Sequence, residues 1–91
     1  MIAARHYRIR GRVQGVGYRF FAREAAGRWD VRGYVRNLGN GDVEIHAEAE
    51  ESLLADFRQE LERGPRGARV TEVIEEELPV TEAYLSFQIR V

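Results

Sequence analysis

The 91-residue chain has no cysteine and no lysine, and only two prolines. Without cysteine there is no disulfide, no thiolate nucleophile and no Cys-ligated zinc or iron–sulfur site, which fits a reducing, cytoplasmic setting. Without lysine there is none of the ammonium chemistry on which a Walker P-loop or a Schiff-base enzyme depends; all 14 basic residues are arginine. No window approaches the run of about 20 apolar residues that crosses a bilayer, and MIAARHYRIR at the N-terminus has no apolar stretch of signal-peptide length. A soluble protein with no membrane partner is expected, folded as one domain over residues 1–91 around one modest core.

The formal net charge of -1 hides an asymmetry: residues 1–45 hold nine arginines against four acids, and residues 46–91 hold five against eleven. A basic first half is where an anion site would be sought. Solvated faces that merely differ in charge are the plainer explanation at this point.

From residue 6 to 13 the chain alternates, with Tyr7, Ile9, Gly11 and Val13 on one face and His6, Arg8, Arg10 and Arg12 on the other, the period of a half-buried strand. FFAREAAGR then predicts an amphipathic helix over about 20–28, ending near Gly27. Residues 31–37 and 42–49 read as strands, the second with Val43, Ile45, Ala47 and Ala49 inward. Asn40-Gly41 between them predicts a tight antiparallel hairpin. Leu53, Leu54, Phe57 and Leu61 form one stripe of a helix over about 51–63, stopped by Gly64-Pro65. Strands over 68–77 and 84–91 complete the chain, the last with Leu85, Phe87, Ile89 and Val91 facing one way. The order of elements predicts an α+β, ferredoxin-like βαββαβ sandwich: a mostly antiparallel sheet of four to five strands, two helices on one face, and an Arg-rich face toward water.

The turn Gln14-Gly15-Val16-Gly17 between the first strand and the first helix has two explanations. Two glycines permit a tight turn with positive φ. They also let successive backbone N–H groups point at one anion beside the positive end of a helix. Arg19, one turn into that helix, would offer a planar guanidinium to the same anion. Neither familiar phosphate loop fits, since Walker A needs Gly-Lys-Ser/Thr and the dinucleotide fingerprint needs a third glycine where Phe20 stands.

The stretch Ile9-Arg10-Gly11-Arg12-Val13-Gln14-Gly15-Val16-Gly17-Tyr18-Arg19 resembles the first signature of the acylphosphatase family at every fixed position. Gly33-Tyr34-Val35-Arg36-Asn37, followed by Gly41 and Val43, resembles its second. Two departures stand beside the match: Ala49 where the family usually has glycine, and Gly17 in a slot often bulkier in animal members. The resemblance implies metal-independent hydrolysis of acyl phosphates to a carboxylate and inorganic phosphate, with no cofactor. It implies Arg19 and Asn37 as catalytic residues, and a phosphate-binding loop of Gln14, Gly15, Val16, Gly17, Tyr18 and Arg19. The implied partners are a small acyl phosphate and inorganic phosphate as product and competing ligand, for a cytoplasmic monomer.

Two other functions suit the same fold class. An RNA-reading sheet wants Lys/Arg-Gly-aromatic-Gly/Ala-aromatic-Val on a central strand. Arg32-Gly33-Tyr34 begins it and Val35-Arg36-Asn37 does not follow, while Asp42, Glu44 and Glu48 would repel a phosphate backbone. A regulatory domain that binds a small molecule without catalysis is the other. His6 and His46 lie on polar strand faces and read as solvated histidines. Tyr18, Phe20, Phe21 and Trp29 read as core or rim packing, and Glu75-Glu76-Glu77 as a solvated strand edge.

Overall fold

The computed structural model describes all 91 residues. The chain runs β1 (Ile2–Arg12), α1 (Tyr18–Arg28), β2 (Arg32–Asn37), β3 (Val43–Glu50), α2 (Glu51–Arg63), β4 (Arg69–Leu78) and β5 (Phe87–Arg90). The five strands form one sheet in the order β4-β1-β3-β2-β5. Strand β3 is antiparallel to both β1 and β2, β4 is antiparallel to β1, and β5 joins β2 in parallel. The sheet is therefore mixed at one edge and antiparallel elsewhere. Because β1 and β2 both run opposite to β3, their C-terminal ends reach the same side of the sheet.

The period-2 alternation decides what is buried. Tyr7 and Ile9 of β1, Val35 of β2 and Val43, Ile45, Ala47 and Ala49 of β3 are all buried. They share a core with Ala22, Ala25 and Ala26 of α1 and Leu54, Phe57 and Leu61 of α2. Three alanines let α1 lie close to the sheet, while α2 supplies the bulk.

Three elements differ from the sequence reading. Helix α1 begins two residues early, at Tyr18, because Gly17 already accepts from the Phe21 N–H. Strand β5 is shorter than 84–91, and Leu85 stands almost fully in solvent. The β2–β3 hairpin is also wider than a two-residue turn. The Leu38 N–H donates to the Asp42 carbonyl, and the Gly41 N–H donates back to the Leu38 carbonyl. This is a three-residue loop in which Gly41 alone, at φ 98°, takes a positive angle.

A larger correction concerns the face opposite the helices. Strands β4 and β5 occupy opposite edges, so residues 79–86 must pass across the sheet, a distance of about 19 Å for four strand spacings. Eight residues reach roughly 30 Å when extended, enough to cross as a strap. Glu48, 1% exposed, is its anchor: its carboxylate accepts from Thr81 N (3.1 Å), Thr81 Oγ1 (2.9 Å) and Glu82 N (2.9 Å). Tyr84 of the strap covers His46, which stacks on Tyr34 at 5.8 Å between ring centres. His46 is thus buried rather than solvated, because a connection no local pattern reveals lies over it. The rest of this face is laced with polar contacts: a hydrogen bond between His6 and Glu44 at 2.9 Å, and ion pairs of Arg36 with Glu44 at 2.5 Å and of Arg8 and Arg10 with Asp42 at 3.4 and 3.7 Å. The acidic edge is also more engaged than expected, since Glu75 binds Arg5 and Arg58.

Burial pushes the Glu48 carboxyl upward, but the donors from Thr81 and Glu82 outweigh it and hold the group below the usual glutamate range. A depressed folded-state value means the unfolded chain binds the proton more readily. The stabilisation is therefore present above the unfolded value of about 4.3 and is lost as pH falls through the folded one. Glu48→Gln is expected to cost about 2 kcal/mol at pH 7, where charged hydrogen bonds are lost, and to narrow that gap at pH 3. Urea unfolding of both proteins at the two pH values checks this; a gap independent of pH would contradict it.

Candidate active site

Where β1 ends, Val13 turns into the core and is 1% exposed, which seats the following loop. Gln14 then reaches sideways. Its Nε2 donates to the carbonyls of Leu38 (2.8 Å) and Asp42 (2.9 Å), so one carboxamide ties the loop after β1 to the hairpin after β2. Gly15 at φ 76° and Gly17 at φ 77°, ψ 23° take left-handed conformations that L side chains rarely adopt. A Cβ on either would meet no atom within 4 Å, so their need is conformational, and the space before the loop stays open. In this chain the departure at Gly17 is thus a feature of the turn.

The amides of Gly15 through Arg19 find no acceptor within the protein; the first α1 bond is donated by Phe21. No acidic residue lies in the first turn of α1. Unpaired N–H groups at a helix start carry partial positive charge, and Arg19 adds a full one. Its guanidinium has a single contact, Nη1 to the Arg90 carbonyl at 3.3 Å, and no carboxylate partner. Arg5, Arg8, Arg10, Arg28, Arg36, Arg58 and Arg63 all have one. Most of the donor capacity of Arg19 is therefore free for an anion.

Asn37 ends β2 on the helix-covered face, as its pairing with Val43 requires. Its carboxamide is spent on no internal bond and opens on the same cleft as Arg19. That cleft measures about 240 Å³. Of the expected residues, Gly15, Gly17, Tyr18, Arg19 and Asn37 line it, while Gln14 and Val16 do not. Tyr18 contributes backbone rather than phenol: its ring is buried and its OH donates to the Leu61 carbonyl at 2.7 Å, while burial pushes its ionisation upward.

The remaining walls are Val13, Phe20 and Ile89. Sequence reasoning assigned Phe20 to packing, yet it is 57% exposed. Its phase was the available signal, because Phe21, Ala22 and Ala25 turn inward and Phe20 cannot join them. Ile89 sits on the inner face as its alternation implies, but only the parallel placement of β5 beside β2 brings it to the cleft.

The model of the acylphosphatase family matches residues 5–89. The chain belongs to the acylphosphatase family. An acylphosphatase of Solibacter usitatus is 47% identical over 87 residues, covering 96% of this chain and 90% of that one. The crystal structure of acylphosphatase from Bacillus subtilis superimposes with a TM-score of 0.94 at 33% identity, each chain fully covered. The structure of an acylphosphatase from Coxiella burnetii gives 0.92 at 36% identity, covering 98% of this chain and 93% of that one. Family membership makes the chain a hydrolase of acyl phosphates, acting on an acid anhydride.

Gln14→Ala removes both bonds between loop and hairpin. A loss of about 1–2 kcal/mol in denaturant unfolding is expected, the worth of two neutral hydrogen bonds. An unchanged midpoint would mean that the loop is held by other contacts.

Proposed function

We propose that this acylphosphatase works without a metal, with Arg19 and Asn37 as its catalytic residues and the loop Gln14 to Arg19 as its phosphate cradle. The observation that supports the proposal is that the cleft is lined by Arg19, Asn37 and the loop residues Gly15, Gly17 and Tyr18, whose main-chain N–H groups have no acceptor within the protein. The phosphoryl oxygens occupy the cradle against the start of α1, gripped by the Arg19 guanidinium.

In the reaction a water oxygen bonds to phosphorus as the bond from phosphorus to the acyl oxygen breaks, its electron pair leaving on the carboxylate. The water's protons pass to phosphate and solvent. A carboxylate with a parent acid of pKa about 4 leaves without protonation, so no general acid is needed. What the protein supplies is position and charge stabilisation around a loose transition state. The Asn37 carboxamide can accept from the water through its oxygen and donate to a phosphoryl oxygen through its nitrogen, which fixes the line of attack.

The whole chain acts as one such domain, a cytoplasmic monomer acting on small acyl phosphates. The pairing of Arg8, Arg10 and Arg36 with Asp42 and Glu44 supports a small anion as ligand rather than a nucleic acid, since those cations are already matched. No helix is long and apolar enough to cross a membrane.

Release of phosphate from benzoyl or acetyl phosphate in the presence of EDTA tests the function directly, with activity retained; its abolition by the chelator would defeat the metal-free mechanism. Arg19→Ala is expected to lower kcat/KM by about 10²-fold or more with the unfolding transition little changed, as removal of a transition-state donor does. Wild-type turnover in that variant would remove Arg19 from the mechanism. For Asn37→Ala the expectation is a fall in kcat far larger than the change in the inhibition constant of inorganic phosphate. Equal losses in the two would mark Asn37 as a binding group instead of a water-positioning one.

A further inference from the structure

Four phosphoryl-end oxygens and one attacking water, at about 30 Å³ each, do not fill a cleft of about 240 Å³. The acyl end of a substrate held by Arg19 and the loop must leave past the rest of the lining, and apart from the loop, Arg19 and Asn37 that lining is apolar. Val13 and Ile89 form walls, and Phe20, adjacent to Arg19 in the chain, carries the largest exposed apolar surface in the lining. No carboxylate lines the cleft.

Phe20 is poised rather than merely exposed. The Arg23 guanidinium, one turn further along α1, lies 4.7 Å from the centre of its ring. A cation–π contact of this kind occupies one face of the ring and limits its swing. The other face and the edge remain for a partner, and an aromatic ring left unburied beside a polar site is a ready contact for an apolar or aromatic group.

We infer that Phe20 reads the acyl group, so that the enzyme discriminates in favour of acyl phosphates whose acyl part is aromatic or bulky and apolar over those with a small one. This rests on the phosphoryl end being held by Arg19 and the loop, since that placement brings the acyl end to Phe20. Phe20 is a specificity-determining residue here, and Arg23 a positioning residue that acts through it.

The test compares kcat/KM for benzoyl phosphate with that for acetyl phosphate in wild type, Phe20→Ala and Phe20→Leu. Taking the ratio of the two substrates within each protein, then comparing proteins, cancels their different intrinsic reactivities. Phe20→Ala is expected to lower the benzoyl-to-acetyl ratio about tenfold, mainly through KM for benzoyl phosphate, the order expected for one lost aromatic contact and its buried area. Phe20→Leu, which keeps apolar bulk without the ring, is expected to lower the ratio about threefold. A ratio within twofold of wild type in Phe20→Ala would overturn the inference. Failure of the underlying reading has a different mark: inorganic phosphate would then not compete with either substrate, and Arg19→Ala would hydrolyse both at the wild-type rate. Because the ring is mostly in solvent, thermal unfolding of both Phe20 variants is expected to match wild type.

Discussion

The carboxamide of Gln14, bonded to the carbonyls of Leu38 and Asp42, is the contact on which the site depends. It joins the segment that follows β1 to the segment that follows β2, and those two strands, on either side of β3, finish at the same end of the sheet because both run against it. One of the joined segments carries the unpaired amides and Arg19; the other follows directly on Asn37. Neither half would make a site alone. A loop of left-handed glycines has conformational freedom that must be removed if its N–H groups are to hold a fixed direction, and that removal costs about 1–2 kcal/mol per residue in backbone entropy. Two side-chain bonds to a rigid hairpin, together with the buried Val13 beneath, supply part of the compensation.

Charge is distributed to the same end. The chain carries 14 arginines and no lysine, and Arg8, Arg10 and Arg36 on the open face of the sheet are matched to Asp42 and Glu44. Glu60 does the same at the far end of α1, where Arg28 bonds it at 2.6 Å, with Trp29 and Arg63 as further donors. The hydrogen bond from Arg28 is the main reason that its carboxyl is held below the ordinary range, against the opposing effect of burial. Each of these pairs neutralises a cation locally. Arg19 differs from these paired arginines: it lies at the positive end of a helix, where a cation is disfavoured, with a carbonyl as its only partner. An arginine kept in that position without a counter-ion is understandable if a dianion is what it meets.

Much of this was legible in the sequence because it is local. Alternation places Tyr7, Ile9, Val35 and Val43 inward, the stripe of Leu54, Phe57 and Leu61 places α2, and the spacing of Gly15 and Gly17 places the turn ahead of α1. What was not legible depends on chain segments far apart. His46 and Glu48 alternate like solvent-facing residues, and they are covered only because the path from β4 to β5 crosses them. Leu85 fits an alternating strand, yet it falls on the strap before β5 begins, so its periodicity has no sheet to refer to. The Asn40-Gly41 pair signalled a hairpin correctly, but the two flanking bonds between Leu38 and Asp42 or Gly41 set its width, and the same two carbonyls, of Leu38 and Asp42, also accept from Gln14. Phe20 was placed with the packing residues by type, when its helical phase already excluded it from the core.

The strap explains how β5 can serve the site at all. A four-residue edge strand paired on one side only is weakly held by its ladder. Here its neighbours add to that ladder in a continuous series. Glu48 anchors the strap, Tyr84 of the strap packs on His46 and Tyr34, and the Arg90 guanidinium lies 4.1 Å above the Tyr34 ring. The carbonyl of the same Arg90 receives Arg19, and Ile89 beside it forms a wall of the cleft. The side chain of Arg90 is thus held on one face of the sheet while its neighbour and its main chain serve the other. A buried carboxylate on β3, with no atom in the cleft, thereby fixes the strand against which the unpaired guanidinium rests. The reach and direction of Arg19 are consequently set by the tertiary path of residues 79–86 as much as by the glycine loop that precedes it.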